Sequence, residues 1–375
     1  MHVPLNIFHY FKNKELGEIY VSVAIKAFAL SMISIFIPVY LYQLGFSFAT
    51  IIAFFGVVSL TSVIFSIPVS KLASKKGFKH TILYSVPFLI VAYILLYTIE
   101  QFGWWVYLPA ILIGVSKSLF WTSYHVDFAF FSNKRKRGSQ IGNAKIFISL
   151  FSVLGPIIGG ITLAFFGFKL LFLVVSGILF FSTVPLFMSK DIHDPIDFSV
   201  KEVFKNRKWK DFLGFFGNGV ESRMGITLWP LFAFIFILGS SYIDLGSLTS
   251  VGLLFSLIFI FFIGKFSNIK RKSVLKFAAI TNLFIWTMRF FIKTIPQLFV
   301  VDSIYGANRS MIGISFDAIS YDKAKKGDIV KAIAFRQISL NLGGAVSMFV
   351  LALLIDPLSK IFIGGGIGSL LLLLF

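Results

Sequence analysis

Cysteine is absent from the 375 residues. That excludes disulfides, a thiolate metal site and a Cys nucleophile. Charge is scarce: 14% of residues are charged, against about 25% in soluble proteins. Acidic residues are the scarcest, 16 Asp and Glu against 35 Lys and Arg, for a net charge of +19. What is there instead is apolar: 57% of the chain, 48 Phe among it, with a mean hydropathy of +0.88. A soluble protein has too little interior to hide so much apolar surface, so the composition describes a polytopic membrane protein. A phosphate-cradling Gly-Lys-Ser loop is missing, so ATP drive is not encoded. No His/Glu spacing marks a metal, and no Ser or His is set up as a nucleophile. The expectation is a protein that is not an enzyme and carries no cofactor and no metal.

A helix needs about 20 mainly apolar residues to cross the hydrocarbon. Twelve such runs are present: 17–43, 47–70, 80–99, 103–131, 139–165, 168–188, 211–239, 243–265, 273–293, 296–321, 330–355 and a short last one, 357–375. The first follows Lys12, Lys14, Glu15 and Glu18 and is too long for a signal-peptide core, so residues 1–16 read as a cytoplasmic lead-in.

The loops alternate in charge. Basic clusters follow the even-numbered runs: Lys71, Lys75, Lys76 and Lys79; Lys134 to Arg137; Lys201 to Lys210; Lys265 to Lys272; Lys323, Lys325 and Lys326. The intervening loops hold almost no Lys or Arg beyond Lys169 and Lys293. A soluble chain this basic would point to nucleic acid, but basic loops between spans are a topology signal. Nucleic acid is therefore not an expected partner, and both termini are placed in the cytoplasm.

The one long hydrophilic stretch, 189–210, separates six runs (17–188) from six more (211–375). The halves share marks. Ser70-Lys71-Leu72-Ala73-Ser74-Lys75-Lys76-Gly77-Phe78-Lys79 follows the second run, and Gly264-Lys265-Phe266-Ser267-Asn268-Ile269-Lys270-Arg271-Lys272 follows the eighth. Asp127 ends the fourth run and Lys145 opens the fifth; Asp317 ends the tenth and Arg336 opens the eleventh. Matching marks at matching places read as a duplicated six-helix unit.

On these features the chain resembles the major facilitator superfamily of secondary transporters over its whole length in topology. Leu72 to Lys79 is similar to that family's motif A, with Lys75, Gly77 and Lys79 fitting and Ser74 where the family has Asp. Gly155-Pro156-Ile157-Ile158-Gly159-Gly160 is similar to motif C, a feature of proton-antiport exporters. Motif B is incomplete: Gly114 is present, but Ala110 stands at its Arg position. The resemblance implies an all-α membrane fold of twelve transmembrane helices in two pseudo-symmetric halves, with alternating access to a central site. Gly155, Gly159 and Gly160 would let a neighbouring helix come close. Pro156 would bend its own helix, which suits a hinge.

Ionisable groups inside the spans are the best functional leads, because they are costly in hydrocarbon. Lys117 sits mid-span, with Trp121 and then Tyr124 and His125 on its face. Glu221 and Arg223 lie mid-span in the seventh run, on nearly opposite faces, with Asn218 one turn from Glu221. Asp302, Tyr305 and Arg309 form one stripe of the tenth. The candidate cavity therefore comprises Lys26, Lys117, Trp121, Tyr124, Glu221, Arg223, Asp302, Tyr305 and Arg309, with Glu221 as candidate proton carrier or else a fixed salt-bridge partner. Arg289 is expected to reach outward to the membrane surface. Lys71, Lys75, Gly77, Lys79 and the pairs Asp127/Lys145 and Asp317/Arg336 form a candidate cytoplasmic gate.

The reading is a cell-membrane transporter, monomeric, with a small-molecule substrate, protons or another coupling ion and the lipid bilayer as its partners. Proton-coupled export is the first version. Uptake or exchange of an organic or phosphorylated anion is the second, raised by Lys26, Lys117, Arg223 and Arg309. A non-transporting membrane sensor with the same fold is the third. The cysteine-free chain makes the topology directly testable. In intact cells a membrane-impermeant maleimide should label Gln101→Cys and leave Lys76→Cys untouched until the membrane is permeabilised; the reverse pattern would invert the orientation.

Overall fold

The computed structural model describes residues 14–132, 135, 137–187, 196–324, 328–354 and 356–375. Most of the N-terminal lead-in, the first part of the central loop and the cluster residues Lys134, Lys136, Lys325 and Lys326 lie outside the described residues, as does the Lys265 side chain. The described residues are helical wherever they are regular, with no strand among them. The fold is an all-α membrane protein of twelve helical spans in two halves, and the protein is an integral membrane protein.

The spans follow the apolar runs. The first is α1 (Lys14–Ile33) continued by α2 (Ile37–Gln43), with Pro38 in the first turn of α2, where a missing N–H costs nothing. The second is α3 (Phe48–Lys76) and the third α4 (Phe78–Tyr97). They meet at Gly77, whose φ of 101° a residue with a Cβ adopts poorly. After a short α5 (Ile99–Phe102) comes the fourth span, α6 (Tyr107–Phe131). The fifth is α7 (Arg137–Ser152) plus the front of α8 (Gly155–Phe181), and the rest of α8 is the sixth. The stretch Arg137–Phe181 is 45 residues, roughly 68 Å of helix at 1.5 Å per residue, enough for two crossings of a core about 30 Å thick. Gly167 (φ 77°) breaks α8 at the place the sequence assigned to a loop.

In the second half, α9 (Val200–Phe204) is a short helix within the central loop. The seventh span is α10 (Trp209–Ser222), a π-helical segment (Arg223–Leu228) and α11 (Trp229–Phe236). Pro230 has no N–H to give the preceding turn, which accounts for the widened turn before it. Spans eight to eleven are α12 (Tyr242–Ile269), α13 (Arg271–Phe290), α14 (Ile295–Lys323) and α15 (Ile329–Ala352). The twelfth is a 3-10 turn (Pro357–Lys360) leading into α16 (Ile361–Leu372). Among the described residues, six stretches are long and apolar enough to span on length and composition alone; the other spans are interrupted, short or carry charges. Spans one, five and seven, each expected as a single run, are broken helices.

Two interfaces join the halves: α15 runs along α3, and α12 runs along α7 and α8. The second is built on small residues. A Cβ on Gly160 would collide with the Tyr242 carbonyl of α12 and one on Gly246 with the Pro156 carbonyl, while on the other side of α8, within the first half, one on Gly159 would collide with the Met32 carbonyl of α1. The Ile157 N–H also donates to Ser250 Oγ across the interface at 3.2 Å. The front of α8 is thus pressed between α1 and α12, with backbone against backbone.

Each end of the bundle is closed by an apolar cluster that draws on both halves. At the end away from the basic loops, Phe36, Phe54 and Leu163 pack with Trp229, Phe234 and Met348. At the basic end, Ala73, Phe78 and Ala144 pack with Phe215, Phe316 and Ala334.

The close approach at α8 gives a direct prediction. Gly159→Leu should lower the thermal stability of the purified protein by an amount equivalent to about 1–3 kcal/mol, as overpacking does. Gly177→Leu, on the same helix with nothing within 4 Å of its Cβ position, should be neutral. Equal effects in a thermal-unfolding assay would refute the contact.

Candidate functional site

Between the two apolar clusters lies a polar layer contributed by both halves. Lys117 of α6 donates to Asn341 Oδ1 of α15 at 2.7 Å. Asn341 in turn donates to the Gln337 carbonyl one turn earlier at 2.8 Å. Arg223, the first residue of the π segment, lies within electrostatic reach of Lys117, its guanidinium edge against Gly344 of α15 beside Ser59 of α3. Among the described residues neither cation has an ion-pair partner, and Arg223 NH2 is buried without any hydrogen bond. Two cations share this centre with hydroxyl and amide groups but no carboxylate.

Lys117 does not turn along its own helix to Trp121. That residue is 40% exposed and packs on His125, with ring centroids 5.4 Å apart. Tyr124 stacks on Phe120. The two aromatic residues are thus separated from the ammonium they share a helix face with. Lys26 is a third cation without a carboxylate. Its ammonium donates to Ser85 Oγ at 2.8 Å and lies 3.9 Å from the centre of the Phe120 ring, inside the first half. It does not join Arg309.

The second half holds two linked ion pairs. Glu221 is fully buried. Its Oε2 accepts from Arg309 NH1 at 2.6 Å, and its Oε1 accepts from Tyr305 Oη at 2.9 Å and Asn282 Nδ2 at 3.2 Å. Arg309 also donates to Ser222 Oγ and Asn218 Oδ1. Asn218 therefore does share the Glu221 face, as its spacing implied. Tyr305 leads to the next pair: the Arg289 guanidinium lies 3.9 Å from the centre of its ring, with Trp229 and Trp286 on other sides. Arg289 bonds Asp302 at 2.7 Å, and Trp229 Nε1 donates to the same carboxylate at 2.8 Å. The expectation that Arg289 reaches the surface is corrected: it is 1% exposed, because Asp302 and three aromatic faces hold it inside. Asp302 and Arg309, expected to share a stripe, are directed to different partners.

At the basic end, Asp317 is held from both sides. Lys145 Nζ of α7 meets Oδ2 at 3.0 Å and Arg336 NH2 of α15 meets Oδ1 at 2.7 Å. Two parallel pairs, Asp127 with Lys145 and Asp317 with Arg336, were expected. Lys145 instead crosses to the other half, while Asp127 is buried in its own helix end. His125 Nδ1 and Tyr321 Oη join α6 to α14 at 2.6 Å. Arg137 pairs with Asp322 at 2.8 Å, again across the halves.

The central loop adds a strap over this end. Lys71 bonds Asp197 at 2.9 Å and holds that carboxyl below the usual carboxylate range. Ser74, standing where the resembled motif has Asp, exchanges hydrogen bonds with the backbone of Ile196. Farther along, Glu202 meets Lys331 at 3.3 Å and Arg207 meets Asp328 at 2.7 Å. Of the other motif-A residues, Lys75 is exposed and Lys79 buried. Sequence reasoning passed over Asn282, Asn308 and Asn341, each buried and bonded in the core. Amides inside apolar runs are the signal that marks them.

The sequence model of the Major Facilitator Superfamily matches residues 19–238. No curated protein matches the sequence. Among solved structures, the human organic anion transporter MFSD10 (TETRAN) aligns over 97% of this chain and 99% of its own, with TM-score 0.70 and 11% identity. FucP in its outward conformation covers 96% of this chain and 97% of its own, with TM-score 0.68 and 12% identity. A variant of FucP, the E. coli fucose:proton symporter, aligns with TM-score 0.66 and 13% identity, at the same coverage. At such identities the likeness is one of fold.

The Glu221 network yields a stability prediction. Removing one partner of a buried ion pair costs about 3–5 kcal/mol, while removing both costs much less. Glu221→Gln should therefore destabilise the protein strongly, and Glu221→Gln with Arg309→Met should regain most of the loss. A double variant no more stable than the single in a detergent-unfolding assay would count against the pair.

Proposed function

This chain belongs to the major facilitator superfamily, a family of secondary transporters, and from that membership we propose that its transported solute is a small organic anion held between Lys117 and Arg223. The observation that carries this reading is the pair of central cations with no carboxylate beside them. Two like charges in a low-dielectric centre repel, and a bound anion removes that cost while accepting charge-assisted hydrogen bonds from both. Asn341, Ser59 and Gln337 supply neutral donors and acceptors in the same layer.

Access alternates about this layer. The basic-end ion pairs and the loop strap close one side, and they part when the halves rock. The glycine-packed seam of α8 with α12, at Pro156, Gly160 and Gly246, is the pivot, since it holds the halves together through backbone contact, while Gly155 and Gly159 seat α8 on α1. The basic end faces the cytoplasm of the cell membrane, on the charge of its loops.

Glu221 serves in this reading as the counter-ion of Arg309. The competing version, proton-driven export with Glu221 as carrier, draws on the resemblance of Gly155–Gly160 to motif C. It requires Arg309 to leave Glu221 in each cycle and a proton to replace it.

In proteoliposomes, counterflow should respond to members of an organic-anion panel and not to lipophilic cations. Lys117→Gln and Arg223→Gln should each weaken anion binding about ten- to a hundredfold, the loss expected for one hydrogen bond to a charged group. Lys117→Arg should retain most of it. Unchanged anion affinity in both neutral variants, or proton movement elicited by cations alone and abolished by Glu221→Gln, would replace this reading with the exporter.

A further inference from the structure

A second basic site lies away from the transport path, at the basic end between α10, α13 and α16. A hollow of about 240 Å³ is lined there by Lys210, Lys272 and Lys276, with Leu275 and Leu372 to Phe375 on its other side. Lys272 and Lys276 are four residues apart, on one face of the first turns of α13. Lys210 comes from the first turn of α10. The charge is unbalanced. The first turn of α13 contains no acidic residue, so the positive end of its dipole adds to the lysines rather than offsetting them. Asp211 of α10 is taken by Lys323 at 2.6 Å, and the Phe375 carbonyl oxygen accepts from the same ammonium at 3.3 Å. Lys208 and Lys272 also act electrostatically on Lys323. Among the described residues none of the three lining lysines has a carboxylate partner.

We propose that this hollow binds the phosphate headgroup of an anionic phospholipid. The topology rule asks only that lysines lie on one side of the membrane. It does not ask that lysines from helices some sixty residues apart converge on one concavity with a leucine floor. The rim argues for a lipid rather than a dissolved phosphate. Trp209, next to Lys210, is 63% exposed, and Phe277, next to Lys276, is 62% exposed. Exposed rings beside lysines at a span end occupy the headgroup level of a bilayer, where an acyl chain can lie along them while the phosphate reaches the ammonium groups. Basic pockets between helices on the cytoplasmic side are suited to anionic headgroups.

The test uses the full chain in nanodiscs of phosphatidylcholine with and without phosphatidylglycerol. Lipid retention is read by native mass spectrometry after release. Phosphatidylglycerol should be retained at least about tenfold over phosphatidylcholine. The triple variant Lys210→Gln, Lys272→Gln, Lys276→Gln should lose that preference. A control with the same change of charge at the same end, Lys76→Gln, Lys201→Gln, Lys205→Gln, should keep it; all six side chains are exposed, so folding is not threatened. Equal loss in both variants, or no loss in either, would overturn the site. Displacement of the lipid by submillimolar glycerol phosphate would overturn the lipid as occupant and leave a site for a soluble phosphate ester.

Discussion

Inside a hydrocarbon slab a charge is costly unless something answers it, and this chain has more than twice as many cations as carboxylates. The described spans obey that constraint almost throughout. Asp302 goes to Arg289, Glu221 to Arg309, Asp317 to Lys145 and Arg336, and Asp322 to Arg137. Once these carboxylates are assigned, Lys26, Lys117 and Arg223 remain among the described cations in the middle of the spans, away from the basic end. Lys26 is accommodated by a hydroxyl and a phenyl face. Lys117 and Arg223 share the layer between the two halves, and their charge is the one that the fold itself does not answer.

In the proposed transport cycle, the distribution of the ion pairs separates scaffold from moving parts. Glu221, Arg309, Tyr305, Arg289 and Asp302 all belong to the second half, so their network stiffens that half and stays intact when it rotates. Lys145–Asp317 and Arg137–Asp322 cross between halves, where rotation must break them. The crossing pairs sit at the basic end, partly open to water, where an ion pair is worth less and parts more readily than one in the core. Backbone contact between α8 and α12 holds the halves close together, which in the proposed cycle leaves tilting as the motion.

Much of this was legible in the sequence. Twelve apolar runs placed the spans, because hydrocarbon thickness acts on composition alone. Lys117, Arg223, Glu221 and Arg309 stood out because charge in an apolar run is rare. Which charge would meet which was not legible. Arg289, Asp302 and Lys145 were misdirected because helix periodicity gives the face of one helix and says nothing of its neighbour. The break in the first span and the π segment before Pro230 escaped for a related reason: hydropathy does not register where the ladder of backbone bonds is interrupted. The lysine-lined hollow was visible only as loop charge until α10 and α13 were brought together.

The most direct test of the central claim changes one atom type at the centre. Asn341→Asp places a carboxylate where Lys117 already donates, without changing shape. If the uncompensated charge of Lys117 and Arg223 is what holds an anion, this variant fills that role internally. Titration calorimetry with an anion bound by the unmodified protein should then show binding lost or weakened at least about tenfold, with the protein still folded. Undiminished anion binding by folded Asn341→Asp protein would contradict the account.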